Sequence, residues 1–168
     1  YQNNTLKTLI FLGFFFFNSC AFVGQLAIPL EFIDKPRGPY DIGTQIFFWT
    51  DETRSEQYTT DPTDLRNLLV QIWYPAQMKD SYQKTTHMVF PERTLNSMAN
   101  TLNAPASLIR HGTRLMSSAV QGAYPIEGEI FPLILFSHGD GGVATQNLSQ
   151  IEELVSRGYI VIAPNHTY

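Results

Sequence analysis

The chain has 168 residues, 43% hydrophobic and 15% charged, a balance that excludes a disordered segment and fits one globular domain. Eleven Lys and Arg against fifteen Asp and Glu give a net charge of -4 with no basic run, which excludes the electrostatic footprint of a nucleic-acid binder. The single cysteine, Cys20, excludes an intrachain disulfide and the paired-cysteine zinc patterns.

In chain order, residues 1–24 read as an export leader. Lys7 precedes an apolar block from Leu9 to Phe17, shorter than the roughly 20 residues of a membrane span. Ser19, Cys20 and Ala21 follow, so cleavage after Ala21 or lipid attachment at Cys20 is expected. The chain opens on Tyr1 and stops just after a strand-like run, which leads us to expect that residues 25–168 are the N-terminal portion of a single, longer domain.

The stretch "EFIDKPRGPYDIGT" is an irregular lead-in rich in Gly and Pro. Two strands are predicted next, "TQIFFWTDETR" and "LRNLLVQIWYPAQ", joined by a polar loop with Asp61-Pro62 and therefore antiparallel neighbours. In the second, Leu69, Gln71 and Trp73 alternate with Val70, Ile72 and Tyr74. The less apolar face that Gln71 gives it predicts an edge or near-edge position. From Lys79 to Pro125 the period becomes helical. Leu95, Met98, Ala99 and Leu102 mark one helix, and Leu108, Ile109, Leu115, Met116 and Ala119 a second, with Pro105 in its first turn and Gly112 weakening its middle.

The run Leu133 to Phe136 has no alternation, which predicts a strand buried on both faces of a parallel sheet. Leu148, Ile151, Leu154 and Val155 then line one stripe of a helix that Gly158 should stop, and "YIVIAP" is a second apolar strand. Strand, helix and strand make a βαβ unit. The predicted class is α/β: antiparallel first strands, a helical insertion, and the start of a parallel sheet.

The first strand of that unit runs into "SHGDGG", at the edge where α/β sheets bind ligands. Gly139, Gly141 and Gly142 permit a sharp turn that brings peptide N–H groups near one point, suited to a phosphate or to the oxyanion of acyl transfer. No phosphate-loop or dinucleotide spacing surrounds them, and Asp140 in their midst disfavours a phosphate. The plainer reading is that they only tighten a strand-to-helix turn.

Other chemistry-bearing residues read as structural or solvated. Ser137 and His138 are neighbours on an extended segment and face opposite ways. Ser117, Ser118 and His111 fall in the second predicted helix, His87 in a polar loop, and His166 at a strand end. Glu152 and Glu153 are adjacent on a helix and point to different sides, and Asp51, Glu52 and Glu56 belong to a solvated loop. No ligand spacing calls for a metal, and no cofactor is expected. Asn147-Leu-Ser and Asn165-His-Thr match glycosylation sequons, the second in or beside a buried strand. None of the eleven glycines has a serine two positions on, so the Gly-x-Ser-x-Gly nucleophile elbow does not occur.

Taken together, "GPYDIGTQIFFWTDETR", "LLVQIWYPAQ", "FPLILFSHGDGG" and "LVSRGYIVIAPNHTY" resemble the N-terminal half of an α/β-hydrolase of the platelet-activating factor acetylhydrolase family, plasma and bacterial type II. The likeness runs from about Gly38 to Tyr168. It implies a serine esterase that removes short or oxidised acyl chains from phospholipids by a Ser-His-Asp mechanism without a metal, exported if the leader reading holds. It places one oxyanion N–H on the residue after His-Gly, here Asp140, with His138, Gly139, Gly141 and Gly142 forming the oxyanion turn. Family members often carry an apolar or small residue at Asp140, a departure that a backbone donor tolerates.

The insertion from Leu95 to Ala119 resembles the family's segment beside the active-site mouth, facing a membrane or lipoprotein surface. The nucleophile and the rest of the triad are expected outside this chain, which alone should be inactive. Two alternatives stand beside this reading. One is a dienelactone-hydrolase-like or polyester-cleaving enzyme acting on small esters, and the other is a noncatalytic truncated fragment whose open strand edge promotes aggregation.

Overall fold

The structure, a computed structural model, describes residues 35–79, 81, 83–86, 89–101, 103, 105–110, 116–139 and 142–166. The leader reading therefore falls outside the described residues. The chain divides into two compact units, one of them comprising Asp34–His87 and Met116–Tyr168, while the other takes in Met88–Leu115.

The first unit holds a mixed sheet. Strands β1 (Asp41–Ser55) and β2 (Leu65–Gln77) form the expected antiparallel hairpin, in register from Asp41 opposite Ala76 to Asp51 opposite Arg66. At its tip Asp51 accepts from the Thr53 amide and hydroxyl and pairs with Arg54. These contacts, the Thr53 hydroxyl first, hold its carboxyl down at about 2. Strands β3 (Lys84–Thr86), β4 (Met116–Gln121), β5 (Tyr124–Pro125), β6 (Leu133–Leu135) and β7 (Ile160–Pro164) complete the sheet in the order β3-β4-β1-β2-β7-β6, with β5 beside the end of β2. β6 and β7 are parallel, Leu135 beside Ile162, and β7 is antiparallel to β2, Val161 opposite Trp73.

Three sequence expectations change here. β2 is not at an edge, because β1 and β7 flank it. Its Gln71 is compatible with the interior since its amide donates to Thr44 Oγ1 at 3.0 Å, and that hydroxyl donates to the Ile72 carbonyl. The second predicted helix shrinks to one short turn, and Met116–Gln121 is strand β4 instead. Pairing decides this: β4 lies parallel to β1, with Gly43 beside Val120, and antiparallel to β3, which overrides a weak helical pattern. β6, expected to be covered on both faces, presents Leu133 and Leu135 to solvent at 61% and 72% exposure, while Ile134 packs on the core.

The core lies between the sheet and helix α3 (Leu148–Ser156), where Trp73, Ile42, Val161 and Ala163 meet Leu148, Ile151 and Val155. The helix ends as predicted at Gly158, whose φ of +93° suits glycine and whose amide donates to Val155 O. The lead-in docks on this helix end. Gly38 N–H donates to Ser156 Oγ at 3.1 Å and Tyr40 N–H to Ser156 O at 3.0 Å. The Tyr40 ring meets Phe131 edge-to-face at 5.3 Å, and its hydroxyl donates to Glu129.

A Cβ on Gly38 would stand 2.0 Å from the Ser156 carbonyl oxygen. Gly38→Ala is therefore expected to push the lead-in off the helix and cost about 1–3 kcal/mol. A urea midpoint unchanged from wild type would overturn that docking.

The second unit contains α1 (Pro91–Thr101) and α2 (Ala106–Ile109). Thr94 satisfies the entry to α1 by donating its hydroxyl to Val89 O, and Glu92 in the first turn pairs with Arg110 at 3.2 Å. Leu95 is fully buried and Ala99 nearly so, on the stripe read from the sequence.

Candidate active site

Two neighbouring parallel strands must release their C-terminal ends at the same edge of the sheet. The β6–β7 register carries on past the strands, through a bond from Phe136 N–H to Ile162 O at 2.8 Å, and sets Ser137 to Gly139 beside Pro164 to His166. Asn165 N–H donates to Leu69 O at 2.7 Å, fixing the β7 exit against β2 as well.

At this edge the adjacent Ser137 and His138 differ in exposure, yet both reach the His166 ring. Ser137 is exposed, and its Oγ lies 2.7 Å from Nε2 of His166. His138 is buried, with Nδ1 2.8 Å from Gly139 O. Its Nε2 accepts the His166 backbone N–H at 2.9 Å. One tautomer serves both bonds: Nε2 faces a donor and must accept, so Nδ1 carries the proton and donates. The two imidazole rings lie 4.4 Å apart.

The predicted oxyanion donor Asp140, together with Gly141, lies outside the described residues, as do His87 and His111. The flanking glycines are placed. Gly142 N–H donates to Gly139 O at 2.9 Å. Neither Gly139 nor Gly142 has a positive φ, so left-handed backbone does not explain glycine at either position. At Gly142 a Cβ would meet the Gln146 amide oxygen at 2.1 Å, and at Gly139 it would meet open space. Further along, Ala144 N–H donates to Oδ1 of Asn165 at 3.0 Å.

Sequence reasoning took His166 and Asn165 one at a time and so missed that the mouth joins them to Ser137, His138 and Ala144. The signal was the βαβ unit, whose parallel register carried past the strands sets Ser137–Gly139 beside Pro164–His166. It also dismissed Glu152, which is 2% exposed and accepts from Ser117 Oγ at 2.5 Å and Ser118 N–H at 2.8 Å. Ser117 is correspondingly buried in β4 rather than solvated on a helix. Glu153 does face outward, toward Arg157 and the Arg37 amide, whose hydrogen bond is the main cause of its lowered pKa. No cluster of three metal-ligating side chains occurs among the described residues.

A hairpin joined to a parallel βαβ unit, with a glycine turn at the C-terminal edge, defines the front part of an α/β-hydrolase sheet. The sequence matches platelet-activating factor acetylhydrolase, isoform II, over residues 28–167, and the chain belongs to that family. Among solved structures it is similar to a ferulic acid esterase from Streptomyces cinnamoneus, at 25% identity and a TM-score of 0.61. That alignment covers 81% of this chain and 36% of the esterase, so the chain spans about a third of that enzyme's length. No curated protein sequence matches it.

Proposed function

We propose that the whole protein to which this chain belongs is an exported serine esterase that removes short acyl groups from phospholipid-like esters. The observation that carries the reading is the family match across residues 28–167. The similarity to an esterase fold adds to it, as does a turn at the sheet mouth whose Gly139 carbonyl accepts from both His138 and Gly142. In this reading the Asp140 N–H is one oxyanion donor, and the nucleophile sits in a Gly-x-Ser-x-Gly elbow encoded outside these residues. Its serine attacks the acyl carbonyl while a histidine takes the hydroxyl proton, the tetrahedral oxyanion forms against the N–H groups, and the alcohol leaves as that proton is returned.

Export rests on residues 1–24, and a membrane or lipoprotein surface is the expected working place. Among the described residues no helix is long and apolar enough to cross a membrane. Resemblance to a ferulic acid esterase favours a second reading, a hydrolase of soluble esters such as those of ferulic acid.

Both readings are tested on the whole protein by fluorophosphonate labelling followed by turnover of short-chain phosphatidylcholine and of a soluble ferulate ester. Labelling with preferred turnover of the phospholipid is expected. Preferred turnover of the ferulate supports the second reading, and no labelling with no turnover overturns both.

A further inference from the structure

The parallel register of β6 and β7 brings together, at the sheet mouth, two chemistry-bearing side chains that lie 29 residues apart in the chain. Ser137 Oγ stands 2.7 Å from Nε2 of His166, and both residues are exposed. The imidazole is held from behind. The His166 backbone N–H is taken by Nε2 of His138 at 2.9 Å, and the two ring centres lie 4.4 Å apart.

Other serine hydroxyls of the same unit are used inside the fold. Ser117 donates to Glu152, while Ser156 accepts from Gly38 N–H and donates to the Glu153 carbonyl. Ser137 differs because its hydroxyl faces solvent and meets a base.

A serine hydroxyl is a weak nucleophile until a neighbouring base can take its proton as attack begins. Neutral imidazole does this through the nitrogen that carries no proton, and the Ser137 contact lies inside the reach of about 2.6–3.2 Å that such a transfer needs. The pair also stands at the C-terminal edge of parallel strands, where open α/β sheets take their ligands. Among the described residues no carboxylate bonds to the His166 ring, so this base lacks the partner that completes a triad. Disabling that partner costs a serine hydrolase about 10⁴-fold in turnover. A pair without it should take up one acyl group and release it slowly.

We propose that Ser137 and His166 form a nucleophilic dyad, a second acylation site that takes an acyl group from an activated ester. Ser137 Oγ bonds to the acyl carbon while its proton passes to His166 Nε2. The ester C–O bond then breaks, the departing alcohol oxygen takes that proton, and an O-acyl serine remains. With a fluorophosphonate the same oxygen bonds to phosphorus, and fluoride leaves with the proton. The proposal goes beyond the esterase reading above and does not rest on it, since the nucleophile of that reading is a different serine.

The test treats the whole protein with a fluorophosphonate, digests it and locates the adducts by mass spectrometry over time. An adduct on the peptide carrying Ser137 is expected, formed more slowly than one in a Gly-x-Ser-x-Gly peptide and absent in Ser137→Ala. His166→Gln keeps a hydrogen-bond acceptor near Nε2 but cannot take up a proton at neutral pH. Labelling of Ser137 should therefore slow by about 100-fold or more in that variant, the lower range of general-base catalysis, with the melting temperature little changed. Acetylation of Ser137 by p-nitrophenyl acetate should fall in the same way.

Ser149, exposed on α3 with no histidine bonded to it, supplies a comparison that needs no variant, and Ser137 should react about 100-fold faster or more. No adduct at Ser137, or equal rates at Ser137 and Ser149, overturns the proposal, as does unchanged labelling in a folded His166→Gln protein. An adduct in the Gly-x-Ser-x-Gly peptide alone leaves the esterase reading standing and removes this one. An adduct at Ser137 alone does the reverse.

Discussion

Replacing Asp140 by proline in the whole protein should lower kcat by about 100- to 1,000-fold, the usual effect of deleting one oxyanion donor, equivalent to about 2.7–4 kcal/mol. Asp140→Ala should leave most activity in place. The difference follows from where the chemistry is assigned. Proline removes the backbone N–H that the proposed mechanism uses, while alanine removes only a carboxylate to which that mechanism gives no part in anion binding. Comparable losses in the two variants, measured with KM and with melting temperature as a folding control, would show that the side chain carries the role and that the N–H assignment is wrong.

Glu152→Ala should destabilise the fold by about 2–4 kcal/mol, because it leaves two donors without an acceptor in a buried place. The Ser117 hydroxyl and the Ser118 amide both point at the same carboxyl oxygen, Oε1, and Ser117 Oγ in turn accepts the Ala119 N–H. Glu152→Gln keeps a carbonyl oxygen there and should cost much less. In a double-mutant cycle, Ser117→Ala should be less harmful in the Glu152→Ala background than alone, since removing both partners is gentler than orphaning one. Urea midpoints of the four proteins measure this, and additive effects would show that the two side chains do not support one another. The contact ties the first residues of β4, where the chain returns from Met88–Leu115, to helix α3.

What was legible in the sequence had a short-range cause. The bounds of β2 coincide with the apolar and aromatic run Leu65–Gln77, and the stop of α3 lies in one glycine with the conformation only glycine favours. The parallel pair β6 and β7 was legible because βαβ spacing leaves few other arrangements. The misreadings had long-range causes. Met116 and Ala119 fit a helical stripe, but strands β1 and β3, more than 25 residues away in each case, offer β4 pairing that the local pattern does not register. Gln71 looked like solvent exposure because its partner, Thr44, comes from another strand.

At the candidate site the anion turn announced itself through composition. The residues that hold it did not, since Asn165 and His166 acquire their roles only when β7 lies beside β6. The oxyanion role proposed for Asp140 rests on the resemblance, and the Asp140→Pro experiment is its test.

The position of β2 between β1 and β7 also sets a timetable for synthesis. Its hairpin partner is adjacent in sequence, but Trp73 meets Val161 only after about 90 more residues have been made. At about 5–20 residues per second the ribosome needs roughly 5 to 20 s for that interval. Throughout it the hairpin has an unpaired edge carrying the Trp73 side chain that later becomes fully buried. An edge left unpaired for that long is an aggregation hazard until β7 is made and covers it.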